Sequence, residues 1–240
     1  MAGSTRPLDE LRAEIRARSP LEPARTEEVL RARFERLPRR LELALGRWPL
    51  AQSRVLDVGC SFGHCLVHFG AGSVGVDSVR EHVDFCRALG LEAVLADVDS
   101  GLADVPDASF DFAWVSDVLE HLDSPRRLLR RVRPKLAPGG TLLLHVSTRP
   151  SGRVAGWTLR RLGLTPYDAH VHYYQFTTET VRYLVERCGY RVVEAVPALP
   201  PRLRFLAPLA ERQSPRLFLA AQPDDAAEAI ALEGERRNKA

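Results

Sequence analysis

The segment Val55-Leu56-Asp57-Val58-Gly59-Cys60-Ser61-Phe62-Gly63-His64 runs an apolar stretch into a turn that holds two glycines. A buried strand that ends in such a turn and then opens a helix presents backbone N–H groups and a positive dipole end to an anionic or polar group. Gly59 lets the chain turn sharply, and Gly63 lets ligand and helix approach closely. Two carboxylates follow at suitable intervals. Asp77 closes Ser73-Val74-Gly75-Val76-Asp77 about 20 residues on, where an acidic side chain can accept hydrogen bonds from both hydroxyls of a ribose. A helix N-cap is the other reading of Asp77. Asp97, in Leu95-Ala96-Asp97-Val98, could hold an adenine amino group or simply shape a turn. The glycine spacing is not the GxGxxG of dinucleotide-binding folds, which makes a dehydrogenase a poor reading.

Four histidines could move a proton near neutral pH: His121, His145, His170 and His172. His145 and His172 are the preferred general bases, against a structural or solvated role for each. The stretch Ser147 to Gln175 mixes Trp157, Arg160, Arg161, Tyr167, His170, His172, Tyr173 and Tyr174, with Phe176 just beyond. Aromatic and cationic groups together suit a phosphate-bearing, glycan or aromatic partner, and a lid helix packed on a sheet edge is the alternative.

The elements that must position these residues follow from the apolar pattern. Strands are expected at 55–58, 73–77, 91–96, 110–116, 141–146, 190–196 and 216–221. Helices are expected at 61–70, 78–89, 125–136 and 178–188. Strands alternating with helices argue for a doubly wound α/β sheet with helices on both faces. The chain divides into a helix-prone N-terminal extension (1–48), an α/β domain (49–221) with an acceptor-facing insertion or lid (147–175), and a polar tail (222–240).

At 240 residues, with 45% hydrophobic and 27% charged residues, the composition is that of an ordinary globular protein. No apolar run reaches the roughly 18 residues of a membrane span, and the N-terminus lacks a secretory core. Cys60, Cys65, Cys86 and Cys188 have no zinc-ligand spacing, so reduced thiols, no metal and a cytoplasmic location are expected. The net charge of +3 is too small to imply nucleic acid by itself. A basic run (Arg126, Arg127, Arg130, Arg131, Arg133, Lys135) is interleaved with Leu128, Leu129, Val132 and Leu136, as on a solvated helix face.

Taken in order, five motifs resemble the class I S-adenosylmethionine (SAM)-dependent methyltransferases, in the broad group that includes the ubiquinone-biosynthesis O-methyltransferases. They are Val55 to Gly63, Gly75-Val76-Asp77, Ala96-Asp97-Val98, Phe110 to Leu122, and Leu136-Ala137-Pro138-Gly139-Gly140-Thr141. The resemblance covers roughly 54–146, with a weaker echo to 221. It implies a seven-stranded Rossmann-like sheet with its last strand antiparallel, and SAM as cofactor. By position, Asp57, Gly59, Ser61 and Gly63 would shape the pocket for the methionine part. Asp77, with Ser78 beside it, would hold the ribose, and Asp97 with the Val98 backbone the adenine. Ser116 and Asp117 would lie near the amino group and sulfonium. Ser61 departs from the family, which has glycine there; serine is expected to keep regular torsions and to preserve binding.

The implied activity is methyl transfer to a small-molecule, glycan or lipid-linked acceptor, at oxygen. An RNA-modifying methyltransferase and a non-catalytic SAM-binding or partner-activating subunit are the alternatives. No RNA-binding module is recognised, and Asp77 and Asp97 argue against a dead cofactor site.

Overall fold

The computed structural model describes residues 7–148, 161, 172–197 and 216–229. Seven strands form one sheet: β1 (Val55–Val58), β2 (Val74–Asp77), β3 (Glu92–Leu95), β4 (Phe110–Ser116), β5 (Leu136–Ser147), β6 (Tyr190–Pro197) and β7 (Arg216–Pro223). Their order is β3-β2-β1-β4-β5-β7-β6. The first five run parallel, and β7 pairs antiparallel with both β5 and β6. This is the expected seven-stranded Rossmann-like sheet with its last strand antiparallel.

Alternation along each strand assigns its side chains to two cores. Leu56, Val58, Ala113, Val115, Leu142 and Leu144 face one side. There they meet Leu128, Leu129 and Val132 of α5 (Pro125–Val132) and Val181 and Val185 of α6 (Thr178–Glu186). Val55, Trp114, Leu143, Phe218 and Ala220 face the other side, where Ala44 of α3 (Arg39–Leu45) and Leu50 close over them. A third cluster joins α1 (Leu8–Arg18) and α2 (Pro23–Arg33) to Phe62, Phe85 and Leu89, with Phe85 on α4 (Arg80–Ala88). The N-terminal helices therefore pack directly on the turn that follows β1.

Local chemistry sets the helix ends. Ser124 accepts from the Arg127 amide ahead of Pro125, and Thr177 forms a reciprocal capping box with Thr180. Two expected elements differ. The helix expected over 125–136 ends at Val132, and Leu136 already pairs with Phe110; the register then shifts, so that Phe112 pairs with Thr141. Pro138-Gly139-Gly140 thus forms an irregularity within β5 and does not terminate the helix. Over 61–70 there is no α-helix, only a short 3₁₀ turn at Leu66–His68. Left-handed torsions at Ser61 and Gly63, and the turn through Gly72, leave too few residues between β1 and β2 for one. The helix-prone N-terminal extension resolves into α1, α2 and α3, with α2 and α3 separated ahead of Pro38.

Tyr190 is fully buried and its hydroxyl donates to the Leu129 carbonyl at 2.8 Å, tying β6 to α5. Tyr190→Phe is expected to lower unfolding stability by about 1 kcal/mol in a denaturant titration, the usual net worth of one buried hydrogen bond.

Candidate functional site

The C-terminal ends of β1, β2 and β4 converge on the turn at residues 59–63. Gly59 has φ +74°, and a Cβ there would stand 2.6 Å from Val118 Cγ2. Gly63 has φ +73°, and its Cβ would meet Cys86 Sγ at 2.9 Å and Leu91 Cδ1 at 3.0 Å. The close approach that requires glycine at 63 is therefore to α4 and the residue that precedes β3.

Ser61 has φ +50°, a correction to the regular torsions expected for it. Its amide donates to Asp77 Oδ2 at 2.8 Å, which fixes the left-handed turn against β2. Asp77 Oδ1 accepts from the Val79 amide at 2.9 Å and lies 3.1 Å from His82 Nδ1. Burial alone would raise the Asp77 pKa, but these donors together hold it below the usual carboxylate range. Asp77 thus organises the turn and α4 through local hydrogen bonds, while Oδ2 keeps acceptor capacity beyond the Ser61 amide. Ser78 is exposed beside it. Phe62, next in the turn, is buried against His82 and Phe85, with ring centroids 4.4 and 5.2 Å away and Arg25 over its face.

Asp97 follows β3 and is exposed. One oxygen accepts from the Asp99 amide and the other from Ser100 Oγ, each at 2.9 Å, so it shapes a turn whatever else it binds. Val98 is buried, and its carbonyl accepts from Arg131 at 2.7 Å.

At the end of β4, Asp117 has φ +55°, a strained setting of the kind that concentrates at functional positions. Its Oδ1 lies 3.3 Å from His145 Nδ1, and Ser116 Oγ lies 3.3 Å from the same nitrogen. His145 is buried, and its Nε2 has no hydrogen-bond partner. His172 lies elsewhere, edge-to-face on His121 with centroids 4.7 Å apart. Glu120, His121 and His172 bring a carboxylate and two imidazoles within 4.8 Å of one another, a donor set that could hold a divalent cation. Cysteine spacing could not reveal such a set, because its members meet only in the fold. Burial raises the Glu120 pKa. Trp157, Arg160, Tyr167 and His170 lie outside the described residues.

Sequence reading missed Arg40 on α3. Its Nε lies 3.5 Å from Asp117 Oδ2 and its Nη2 3.1 Å from His64 Nε2. Burial, then the charges of Arg40 and Arg33, push the His64 pKa down to about 3, so the ring is neutral and Nε2 accepts from Arg40. Burial pushes Asp57 up to about 7, against the pull of Arg40. Asp57 Oδ2, Arg40 Nε and His64 Nδ1 are buried and lack hydrogen-bond partners.

Comparison with known proteins decides the family. The methyltransferase-domain family matches residues 29–195. The chain belongs to the class I SAM-dependent methyltransferases. Ubiquinone biosynthesis O-methyltransferases from Xanthomonas oryzae and Xanthomonas campestris are 35% and 34% identical over 121 residues, covering 47% of this chain. The chain spans about half the length of the curated relatives it matches. A SAM-dependent methyltransferase from Mesorhizobium loti shares the fold with a TM-score of 0.53 at 21% identity, covering 76% of this chain and 95% of its own. One from Archaeoglobus fulgidus gives 0.55 at 21% identity, covering 77% and 94%.

The cofactor of this family is SAM, and the buried polar atoms fit it. Buried polar atoms without hydrogen-bond partners, a carboxylate oxygen (Asp57 Oδ2) and two nitrogens (Arg40 Nε, His64 Nδ1), suit a zwitterionic amino-acid group, whose ammonium would face the oxygen and whose carboxylate would face the donors.

Because a left-handed non-glycine residue carries strain of about 1 kcal/mol, Ser61→Gly is expected to raise or preserve stability. A melting curve shifted upward by a few degrees, with SAM affinity retained, is the expected result; a clear loss of stability would mean that the Ser61 side chain contributes more than its backbone shape.

Proposed function

We propose that this chain transfers the methyl group of SAM to a small-molecule, glycan or lipid-linked acceptor, at oxygen. The observation that carries the reading is the buried Asp57 Oδ2, which lacks a hydrogen-bond partner, together with Arg40, ion-paired through Nε to the strained Asp117. When bound, SAM supplies a methyl on a sulfonium, a leaving group that needs no protonation. Asp57 and Asp117 would accept from the ammonium of the donor, Arg40 would hold its carboxylate, and Asp77 Oδ2 would accept from the ribose. Asp97 and the Val98 backbone would border the adenine. The curated relatives that carry the name O-methyltransferase support oxygen as the methylated atom.

The two histidines take different roles in this reading. His145 is buried with Nδ1 toward Asp117 and Ser116, so it serves as a positioning residue for the Asp117 carboxylate. His172, partly exposed and grouped with Glu120 and His121, is the better placed to accept a proton from an acceptor hydroxyl. The basic run over 126–135, on α5 and the 3₁₀ turn after it, gives RNA little to bind. Arg127, Arg131 and Arg133 donate to the Asp99, Val98 and Gly189 carbonyls, and Lys135 is buried on Asp107 and the Val105 carbonyl.

Calorimetry of the purified chain with SAM tests the cofactor reading. Micromolar binding, weakened about tenfold or more by Asp77→Ala and absent for NAD, is expected. Failure of SAM to bind at all would overturn it.

Proton linkage gives a second test. Below its ordinary pKa of 3.8, Asp57 is neutral in folded and unfolded chains alike. Between there and about 7 the folded chain keeps a proton that the unfolded chain has released, so the stability of the free protein falls as pH rises through this window. An ammonium beside Asp57 favours the ionised form, so binding of SAM releases that proton. Affinity is expected to fall about tenfold per pH unit below 7 and to flatten in Asp57→Asn. An unchanged profile in that variant would remove Asp57 from contact with the ammonium.

A further inference from the structure

Where α2 and α3 meet the outer strands, the surface opens into a groove of about 1340 Å³. Six arginines line it, Arg31, Arg33, Arg36, Arg39, Arg40 and Arg47, against two glutamates, Glu35 and Glu42. Its apolar portion includes Trp48 and Phe218, whose rings lie 6.2 Å apart. Two of its lining residues lead to the proposed transfer site, since Arg40 contacts Asp117 and Phe218 packs on His145 at 4.7 Å.

Arginine is common in this chain, so its mere presence carries no weight. What sets the groove apart is that several unpaired arginines share one concavity. Elsewhere Arg16 is bound to Glu27, Arg18 to Glu14, Arg25 to Glu28 and Glu81, and Arg133 to Asp225 and Glu228, while Arg80 and Arg187, which make no such contact among the described residues, stand apart from it. In the groove Arg47 is bound to Glu194, and Arg40 is engaged as described. Arg33, Arg36 and Arg39 make no hydrogen bond or close ion pair among the described residues, although all three are exposed at one concavity. The field of this cluster reaches the interior, where the charges of Arg40 and Arg33 help to keep His64 neutral. A cleft lined with one sign of charge focuses its field on an ion of the other sign, and planar guanidinium forks match phosphate oxygens in pairs.

We propose that this groove binds the methyl acceptor and that the acceptor carries a phosphate or diphosphate group joined to an apolar or aromatic portion. The phosphate lies on Arg33, Arg36 and Arg39, and the apolar portion extends over Trp48 and Phe218 toward Asp117. The proposal rests on the methyltransferase reading for its account of what the groove serves; the anion site itself is tested without it. Two sources share the chemistry, a soluble phosphate ester and the headgroup of a lipid-linked acceptor.

The test uses the full chain and inorganic pyrophosphate as probe, titrated at low salt with and without SAM. Pyrophosphate is expected to bind, more weakly as salt rises, and about tenfold more weakly to Arg36→Gln/Arg39→Gln. That variant should keep its melting temperature and its SAM affinity. Arg39→Lys, which retains charge and loses the fork, should fall between. Co-sedimentation with phosphatidylglycerol vesicles, lost in the double variant, would assign the phosphate to a lipid headgroup; binding of pyrophosphate alone would assign it to a soluble acceptor. Absence of pyrophosphate binding, or equal binding by the double variant, overturns the proposal, as does binding of tRNA with none of pyrophosphate. Loss of SAM binding with pyrophosphate binding intact would overturn the methyltransferase reading and leave the anion site standing.

Discussion

The hydrogen bond from the Ser61 amide to Asp77 is the constraint on which the site depends. It joins the left-handed turn after β1 to the end of β2, and the same carboxylate accepts the Val79 amide just before α4. Without a full helix behind the turn, no helix ladder fixes the position of residues 60–65. The carboxylate does that instead, together with Gly63 pressed against Cys86. Removing the charge at Asp77 would therefore disturb the turn as well as any contact with a ribose, so loss of binding there reads on both.

The same economy of helix explains the N-terminal extension. A short 3₁₀ turn leaves Phe62 and Val67 without enough cover from their own segment. Leu11, Ile15, Val29, Leu30 and Phe34 supply the missing surface. Burying these side chains against the turn stabilises both partners, at roughly 1.5–3 kcal/mol for each large apolar side chain fully removed from water. Of the helices that close this cluster, α2 also carries Arg33 toward the site, while α3, packed on the sheet through Ala44, brings Arg39 and Arg40.

Much of the sheet was legible because parallel strands buried on both faces are written as continuous apolar runs, as in Val55–Val58 and Phe110–Ser116. The left-handed Ser61 was not, since serine is a poor marker of positive φ and the hydrogen bond that holds it comes from 16 positions away. The helix expected over 61–70 failed for the same reason: its residues suit a helix locally, and torsions imposed at both ends exclude one. Arg40 was hidden by distance, 24 positions before His64, in a stretch whose many arginines look alike until the fold separates paired from unpaired ones. Glu120, His121 and His172 are similar, because two adjacent residues and one far along the chain, inside the insertion, make no spacing pattern.

Asp57 and Asp117 show how the site divides its acids. Both stand at strand ends beside Arg40, yet their surroundings differ. Asp57 is fully enclosed, and desolvation outweighs the arginine, so it sits near its titration point at neutral pH. Asp117 is about one-third exposed, with Arg40 and His145 on its two oxygens. In the proposed reading, a cationic donor near both would meet the carboxylate paired with Arg40 and His145 and a second whose charge forms as the donor binds. Asp117 would attract the cation into the pocket, and Asp57 would strengthen the contact only once the ammonium is in place. Such a division would spare the free protein a second bare carboxylate in a low-dielectric setting, where the Asp77 charge already opposes ionisation of Asp57.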